Sequence, residues 1–284
     1  MVQIGTGLPN QIRNVRPDSI PEFARRAEKA GFSTLSTVGR TAYPGVQDTV
    51  ALAAAAGATS TIGLLSGVML APTWPAVLLA KELAGIDGIS GGRLTAGVGV
   101  GVRPDDFVAD GYGTSGRGAR FDRDLETYAA VWEGKPVGGG TNPAVPQGTR
   151  KIPLLFGGFA PAALDRMARW GEGYVGGSLP PAMVGPSFDA AREAWRRGGR
   201  EGSPRIVALA YYALGDGDAG RDNVYDYYSV TPDFAKITSG AVCTTPEAVR
   251  EAVAGFTDLG ADEILFNPGT DDPDDVARLA EIVF

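Results

Sequence analysis

The chain has 284 residues, 44% of them hydrophobic and 21% charged, with a net charge of −7. That profile suits a globular protein with a large core, and its acidity argues against a general nucleic-acid surface. There is no histidine and only one cysteine, Cys243, which excludes histidine-based triads, nearly all zinc enzymes and any internal disulfide. No apolar run reaches the roughly 18 residues of a membrane span. The opening MVQIGTGLPN lacks the basic and apolar regions of a signal peptide, so a cytoplasmic location is expected.

Read in chain order, Val2 to Leu8 is a short apolar strand that turns at Pro9-Asn10. Ile20, Phe23, Ala24, Ala27 and Ala30 recur at helical spacing, and Gly31 stops that helix. Phe32 to Val38 is a second strand, Gln47 to Ala58 an alanine-rich helix, and Thr61 to Leu70 a third strand. Trp74 to Ile89 is helical, opened by Pro75 and stopped at Gly91-Gly92. Leu94 to Val98 is the fourth strand, followed by a short helix, Arg103 to Asp110, and a longer one, Phe121 to Trp132. Gly134 to Arg150 has no periodicity and is read as an irregular surface insertion, not a domain boundary.

Ile152 to Phe156, Gly173 to Val175, Arg205 to Leu214 and Asp262 to Phe266 are strands five to eight. Helices are expected at Ala160 to Gly171, Pro181 to Gly198, Asn223 to Lys236, Pro246 to Leu259 and Asp274 to Val283. Eight strands alternating with helices predict an α/β fold, a (β/α)8 TIM barrel formed by residues 1–284 as one domain. Chemistry in such a barrel sits at the C-terminal ends of the strands. Four strand exits there are glycine-rich: Gly5-Thr6-Gly7, Gly97-Val98-Gly99-Val100-Gly101, Gly157-Gly158 and Gly176-Gly177. Such exits are either tight turns or openings that let a ring or phosphate approach the backbone, and four together predict a hollow mouth.

The run from Gly67-Val68-Met69-Leu70 through Lys81-Glu82-Leu83-Ala84 and Ile89-Ser90-Gly91-Gly92-Arg93-Leu94 to Gly97-Val98-Gly99-Val100-Gly101 resembles the signature of the bacterial luciferase-like flavin-dependent oxidoreductases. Asp106-Phe107-Val108-Ala109-Asp110-Gly111, Pro153-Leu154-Leu155-Phe156-Gly157-Gly158 and Gly171-Glu172-Gly173-Tyr174 are similar to later segments of that family. The likeness runs from Gly5 to Gly177 and then fades. It implies a TIM barrel that binds FMN, or alternatively a deazaflavin coenzyme, and acts on a small organic substrate. It also implies a homodimer. Hydride transfer at the flavin is implied, with or without oxygen activation.

The resemblance also implies site residues. Ser66-Gly67-Val68 aligns with a bulge containing a non-prolyl cis peptide behind the isoalloxazine ring; the aligned bond is Gly67–Val68. Gly157-Gly158-Phe159 opens a helix, and Gly176-Gly177-Ser178 leaves the next strand. Free amides at such a helix start bind phosphate. Gly7, Gly97 and Gly99 complete the small-residue set, and Arg40 faces either the flavin pyrimidine, an anionic substrate or solvent.

Similar proteins carry an acidic-histidine pair where this chain has Gly39-Arg40, and some carry a glutamate where it has Val102. No catalytic side chain is therefore assigned. Asp105 and Asp106 offer polar contacts or simply favour a helix start. Tyr43, Trp74, Tyr112, Tyr211 and Tyr212 serve as packing or as one stacking wall, and Arg117 and Arg120 as surface or phosphate contacts. The acidic cluster Asp271, Asp272, Asp274 and Asp275 matches no calcium loop. A flavin or deazaflavin carrier with little catalysis is the second reading. A Schiff-base aldolase is the third, although no lysine stands at a strand exit.

Overall fold

The computed structural model describes residues 2–109 and 111–284. Eight parallel strands close into a barrel in sequence order. They are β1 (Gln3–Gly7), β2 (Thr34–Thr37), β3 (Gly63–Leu70), β4 (Leu94–Gly99), β5 (Leu154–Gly157), β6 (Gly173–Val175), β7 (Arg205–Tyr212) and β8 (Glu263–Pro268). The ring shuts where Gln3 to Thr6 of β1 align with Glu263 to Phe266 of β8. Inside it, Leu65, Leu155, Val175, Val207, Leu209 and Leu265 form a small apolar plug. The larger core lies between the strands and the surrounding helices, as expected of a barrel whose strands alternate inward and outward faces.

The first helices are α1 (Ile20–Ala30), α2 (Asp48–Ala58) and α3 (Ala76–Ser90). On α1 the expected stripe is buried at Ile20, Phe23, Ala24 and Ala27, and half-buried at Ala30 at the helix end. Gly31 caps it at φ 92°, its N–H reaching the carbonyls of Ala27 and Glu28. Next come α4 (Pro104–Val108) and α5 (Arg117–Trp132), the latter beginning four residues before its expected start. The short helix expected to run to Asp110 ends at Val108, and Asp110 itself lies outside the described residues.

The irregular stretch from Gly134 holds no named helix or strand. It is latched to the barrel where Arg150 donates to both Asp87 carboxylate oxygens at 2.8 and 2.7 Å, and to the Leu94 carbonyl. Then follow α6 (Pro161–Trp170), α7 (Pro181–Arg197), α8 (Gly217–Tyr228), α9 (Pro232–Gly240), α10 (Pro246–Asp258) and α11 (Asp274–Val283).

The single helix expected over Asn223 to Lys236 is a correction: it is two helices, α8 and α9. Pro232 lacks the N–H that would continue α8, and it pushes Thr231 out of the helical region to φ −121°, ψ 84°. The start of α8 is set earlier than expected by Asp216, whose side chain accepts from Ala219 N at 3.0 Å.

Candidate active site at the barrel mouth

A cavity of about 720 Å³ opens at the C-terminal ends of the strands, within the usual range for small-molecule sites. Its floor begins with a local irregularity in β3. Ser66 pairs with Ala96 and Met69 with Val98, so β3 carries one residue more than β4 over that step. The Gly67–Val68 peptide within this bulge is cis, at the bond the resemblance indicated. The bulge leaves Val68 at the cavity. A Cβ at Gly99 would lie 3.1 Å from Val68 Cγ1, and one at Gly157 2.8 Å from Val68 Cγ2. A side chain at Gly157 would force the valine to move, and one at Gly99 would crowd it.

The next two exits form one side of the cavity. Gly158 has φ +118°, a conformation suited to glycine, and its carbonyl accepts from the Tyr174 hydroxyl at 3.1 Å. Ala160 caps α6 with no side-chain hydrogen bond to the helix start. Pro161 brings no N–H and the Ala163 amide is taken by the Ala160 carbonyl at 2.8 Å, which leaves Ala162 as the first-turn amide suited to an anion. Phe159 is 56% exposed, and its ring leaves only 2.7 Å for a Cβ at Gly177. Gly176 is small for a packing reason, since the Phe188 ring fills the space a Cβ would take. Ser178 completes this edge.

Arg40, Gly67, Val68, Gly99, Gly157, Gly158, Phe159, Gly176, Gly177 and Ser178 thus all line the cavity, whereas Gly7, Ser66 and Gly97 do not. Their smallness serves strand packing instead. The space at Gly7 is taken by Asn267 and Pro268, and that at Gly97 by the Ser66 carbonyl. Ser66 Oγ donates back to the Gly97 carbonyl at 2.9 Å. The first of the four glycine-rich exits is accordingly filled, and the hollow belongs to the others.

Arg40 is held within the protein. Its side chain is only 6% exposed and pairs with Asp105 at 2.8 Å and Asp106 at 3.3 Å. Arg103 shares Asp105 at 3.0 Å, and hydrogen bonding to Arg103 holds the Asp105 carboxyl below its usual range. Both guanidinium groups also donate to the Tyr227 carbonyl near the end of α8. Two cations therefore face two carboxylates. Behind the wall, Asp48 is 2% exposed, and its carboxylate occupies the place a Cβ at Gly39 would take. Its Oδ1 has no hydrogen-bond partner, and burial pushes the Asp48 pKa up to about 6.

Several lining residues were invisible to sequence reasoning. Arg166, which in sequence reads as a solvated helix cation, instead has a side chain 12% exposed and reaches the cavity from α6, bound to Asp122 at 2.6 Å and to the Gly118 carbonyl. Tyr227, Tyr228 and Phe234 arrive on α8 and α9. Of the expected cations, Arg117 lines the cavity and Arg120 does not; Arg120 lies over the Tyr112 ring at 4.8 Å. Among the expected aromatics, Tyr43, Trp74, Tyr112, Tyr211 and Tyr212 all stand outside the cavity lining. Tyr43 packs edge-on against Tyr227, and Tyr212 meets Thr6 Oγ1 at 3.2 Å.

The late acidic cluster is occupied by ion pairs. Arg278 binds Asp272 and Asp275, and Arg26 binds Asp274. Burial pushes the Cys243 thiol up to about 11, leaving it a buried neutral group. Among the described residues no cluster of three metal-ligating side chains occurs, and no helix is long and apolar enough to cross a membrane.

The closed ring of eight parallel strands with its helices is a (β/α)8 TIM barrel. The signature of the family described as luciferase-like monooxygenase matches residues 2–238, and the chain belongs to that family. The solved structure of monooxygenase RslO1 from Streptomyces bottropensis is similar at a TM-score of 0.76 and 24% identity, covering 99% of this chain and 97% of that one. An F420-dependent secondary alcohol dehydrogenase in complex with an F420-acetone adduct aligns at a TM-score of 0.75 and 18% identity, over 99% and 98% of the chains.

The oxygenating constituent of 3,6-diketocamphane monooxygenase from Pseudomonas putida, in complex with FMN, aligns at 0.73 and 16% identity, over 99% and 95%. These likenesses concern the fold. A curated relative, the uncharacterized protein Mb0978c of Mycobacterium bovis, is 30% identical over 56% of this chain. The match spans 60% of that relative's length.

Proposed function

We propose that this protein is a flavin-dependent oxidoreductase acting on a small organic substrate, with FMN as the cofactor and a deazaflavin as the alternative. The observation that carries the reading is the cavity at the barrel mouth, where Val68 and the side-chain-free exits at Gly99 and Gly157 form an apolar floor. The residues fit such a group. Val68 and Gly67 would support the ring from behind. The amides after Gly157, the open start of α6, the Ser178 hydroxyl and the Arg117 guanidinium would hold its phosphate. A bound flavin supplies hydride transfer, with or without oxygen activation, while the protein supplies orientation and exclusion of water. Arg40 keeps its place in this reading as part of the cavity wall, neutralised by Asp105 and Asp106.

FMN is favoured because Gly39-Arg40 and Val102 replace the histidine and glutamate that the deazaflavin sugar-phosphate dehydrogenases of this family carry. Absorbance titration of the purified chain with FMN and with F420 tests the reading. Saturable binding of one is expected, and dissociation constants above about 1 mM for both would reject it. Reduction of the bound flavin by a nicotinamide donor or substrate separates an enzyme from a carrier.

A homodimer is part of the same proposal. The neighbouring helices α2 and α3 are apolar almost all round and leave Val50, Val77, Leu78 and Ile89 exposed, a pattern that belongs at a buried face. Light scattering on the eluted protein is expected to give twice the chain mass; a monomer at micromolar concentration would refute this.

A further inference from the structure

The segment after β7 brings an aromatic wall to the cavity, made by Tyr227 and Tyr228 of α8, Thr231 between the helices and Phe234 of α9. Tyr228 is its centre. Its ring meets Tyr227 at 4.9 Å, Phe234 at 5.0 Å and Tyr211 at 6.2 Å between centroids, all edge-on. Such a cluster holds the phenol in one orientation. The Tyr228 hydroxyl lies 3.1 Å from that of Tyr211, which is only 3% exposed. When Tyr211 donates to it, the Tyr228 hydrogen has only Ser178 Oγ at 3.5 Å, too long for a good O–H···O bond. A better acceptor in the cavity would therefore take it. Burial raises the pKa of both phenols, so each keeps its proton at neutral pH.

Charge narrows what this wall accepts. The guanidinium groups beside it, Arg40 and Arg103, are matched by Asp105 and Asp106 and tied to the Tyr227 carbonyl. A carboxylate or phosphate placed here would meet no spare cation at this wall. A flat apolar body carrying one neutral oxygen meets rings on its faces and one donor at its oxygen.

We propose that the α8–α9 wall binds a neutral aromatic substrate, and that the Tyr228 hydroxyl fixes its carbonyl or hydroxyl oxygen by hydrogen bonding. The assignment rests on the flavin reading for naming this cavity as the reaction site. Tyr228 is a specificity-determining residue in it, with Tyr211 as its holder.

Acetophenone, benzoate and ethylbenzene are the probes, titrated against flavin-loaded protein by flavin absorbance and against flavin-free protein by tyrosine fluorescence. Acetophenone is expected to bind at least about tenfold more tightly than benzoate. Tyr228→Phe is expected to weaken acetophenone about tenfold, some 1.4 kcal/mol, and to leave the dissociation constant of ethylbenzene unchanged. Phe234→Ala is expected to weaken acetophenone and ethylbenzene alike.

Tighter benzoate binding, or an unchanged acetophenone constant in Tyr228→Phe, overturns the proposal. Should that variant fail to fold, Tyr211→Phe carries the test: a severalfold loss for acetophenone alone supports the assignment, and no loss overturns it. A wild-type chain that binds neither flavin defeats the cofactor reading instead. The fluorescence titration of flavin-free protein then decides the wall by itself.

Discussion

Gly97→Ala is expected to destabilise the protein by about 3 kcal/mol or more, as substitutions that force atoms into a filled interior do. The added methyl would fall on the Ser66 carbonyl oxygen, a backbone atom in the neighbouring strand. Backbone cannot swing aside as a flexible side chain can. Relief requires β3 and β4 to separate at the step where their register already shifts between Ser66 and Met69. It also disturbs the 2.9 Å bond from Ser66 Oγ to the Gly97 carbonyl. At about 2–4 °C per kcal/mol for a chain somewhat shorter than this one, the melting temperature should fall by roughly 10 °C. Calorimetry or urea unfolding measures this. A loss below about 0.5 kcal/mol, the scale of a surface substitution, would show that the two strands have slack there. Flavin affinity should fall with stability, because Val68 is placed by the same bulge.

Asp48→Asn is expected to act in the opposite direction and to stabilise the protein at neutral pH. The wild-type carboxyl is buried, lacks a partner at Oδ1 and titrates near 6 in the folded chain, against about 3.9 when unfolded. The unfolded state therefore ionises first as the pH rises. Wild-type stability falls between about pH 4 and pH 6 on this account and stays lower above it. Asparagine has no such slope. The advantage of the variant should grow across that window by about 2–3 kcal/mol, from a shift of about two pKa units at 1.36 kcal/mol each. Urea unfolding of both proteins at pH 4 and pH 7.5 measures it. An advantage that shrinks with pH would mean that the carboxylate is favoured in the fold, as a charge at the start of α2 can be.

The barrel was legible in the sequence because its strands are short apolar runs that stop at glycines and its helices carry a repeating buried stripe. The stripe Ile20, Phe23, Ala24 and Ala27 is a purely local signal, and so is the Gly31 stop. The break between α8 and α9 was written there too, in Pro232 and Asp216, but it was hidden within an otherwise polar helical pattern.

The cavity was legible only as smallness. Gly97 and Gly99 read alike, yet one receives the carbonyl of an adjacent strand and the other a valine methyl at the cavity floor. Which neighbour fills a missing side chain depends on register, and register follows from closing the ring. Arg166 and Tyr228 were unreadable for a similar reason. Nothing within their own helices distinguishes them, and only the wrapping of α6 and α8 over the strand ends brings them to one cavity. Asp48 reads as an ordinary helix start; its place under Gly39 is a tertiary fact.

At the end of β7, Tyr211 and the later residues Ala213, Val224 and Val242 form a small apolar cluster with Tyr228 packed against it, distinct from the main core. The flap of helices after β7 can be exchanged or reshaped while the ring stays intact, as long as the new residues still pack on Tyr211, which belongs to the ring. Grafting the stretch between β7 and α10 from a homologue should then alter which molecules are recognised and leave the floor beneath them undisturbed. Changes in what the cavity recognises would accordingly be concentrated in one excursion, the residues between Tyr212 and Pro246.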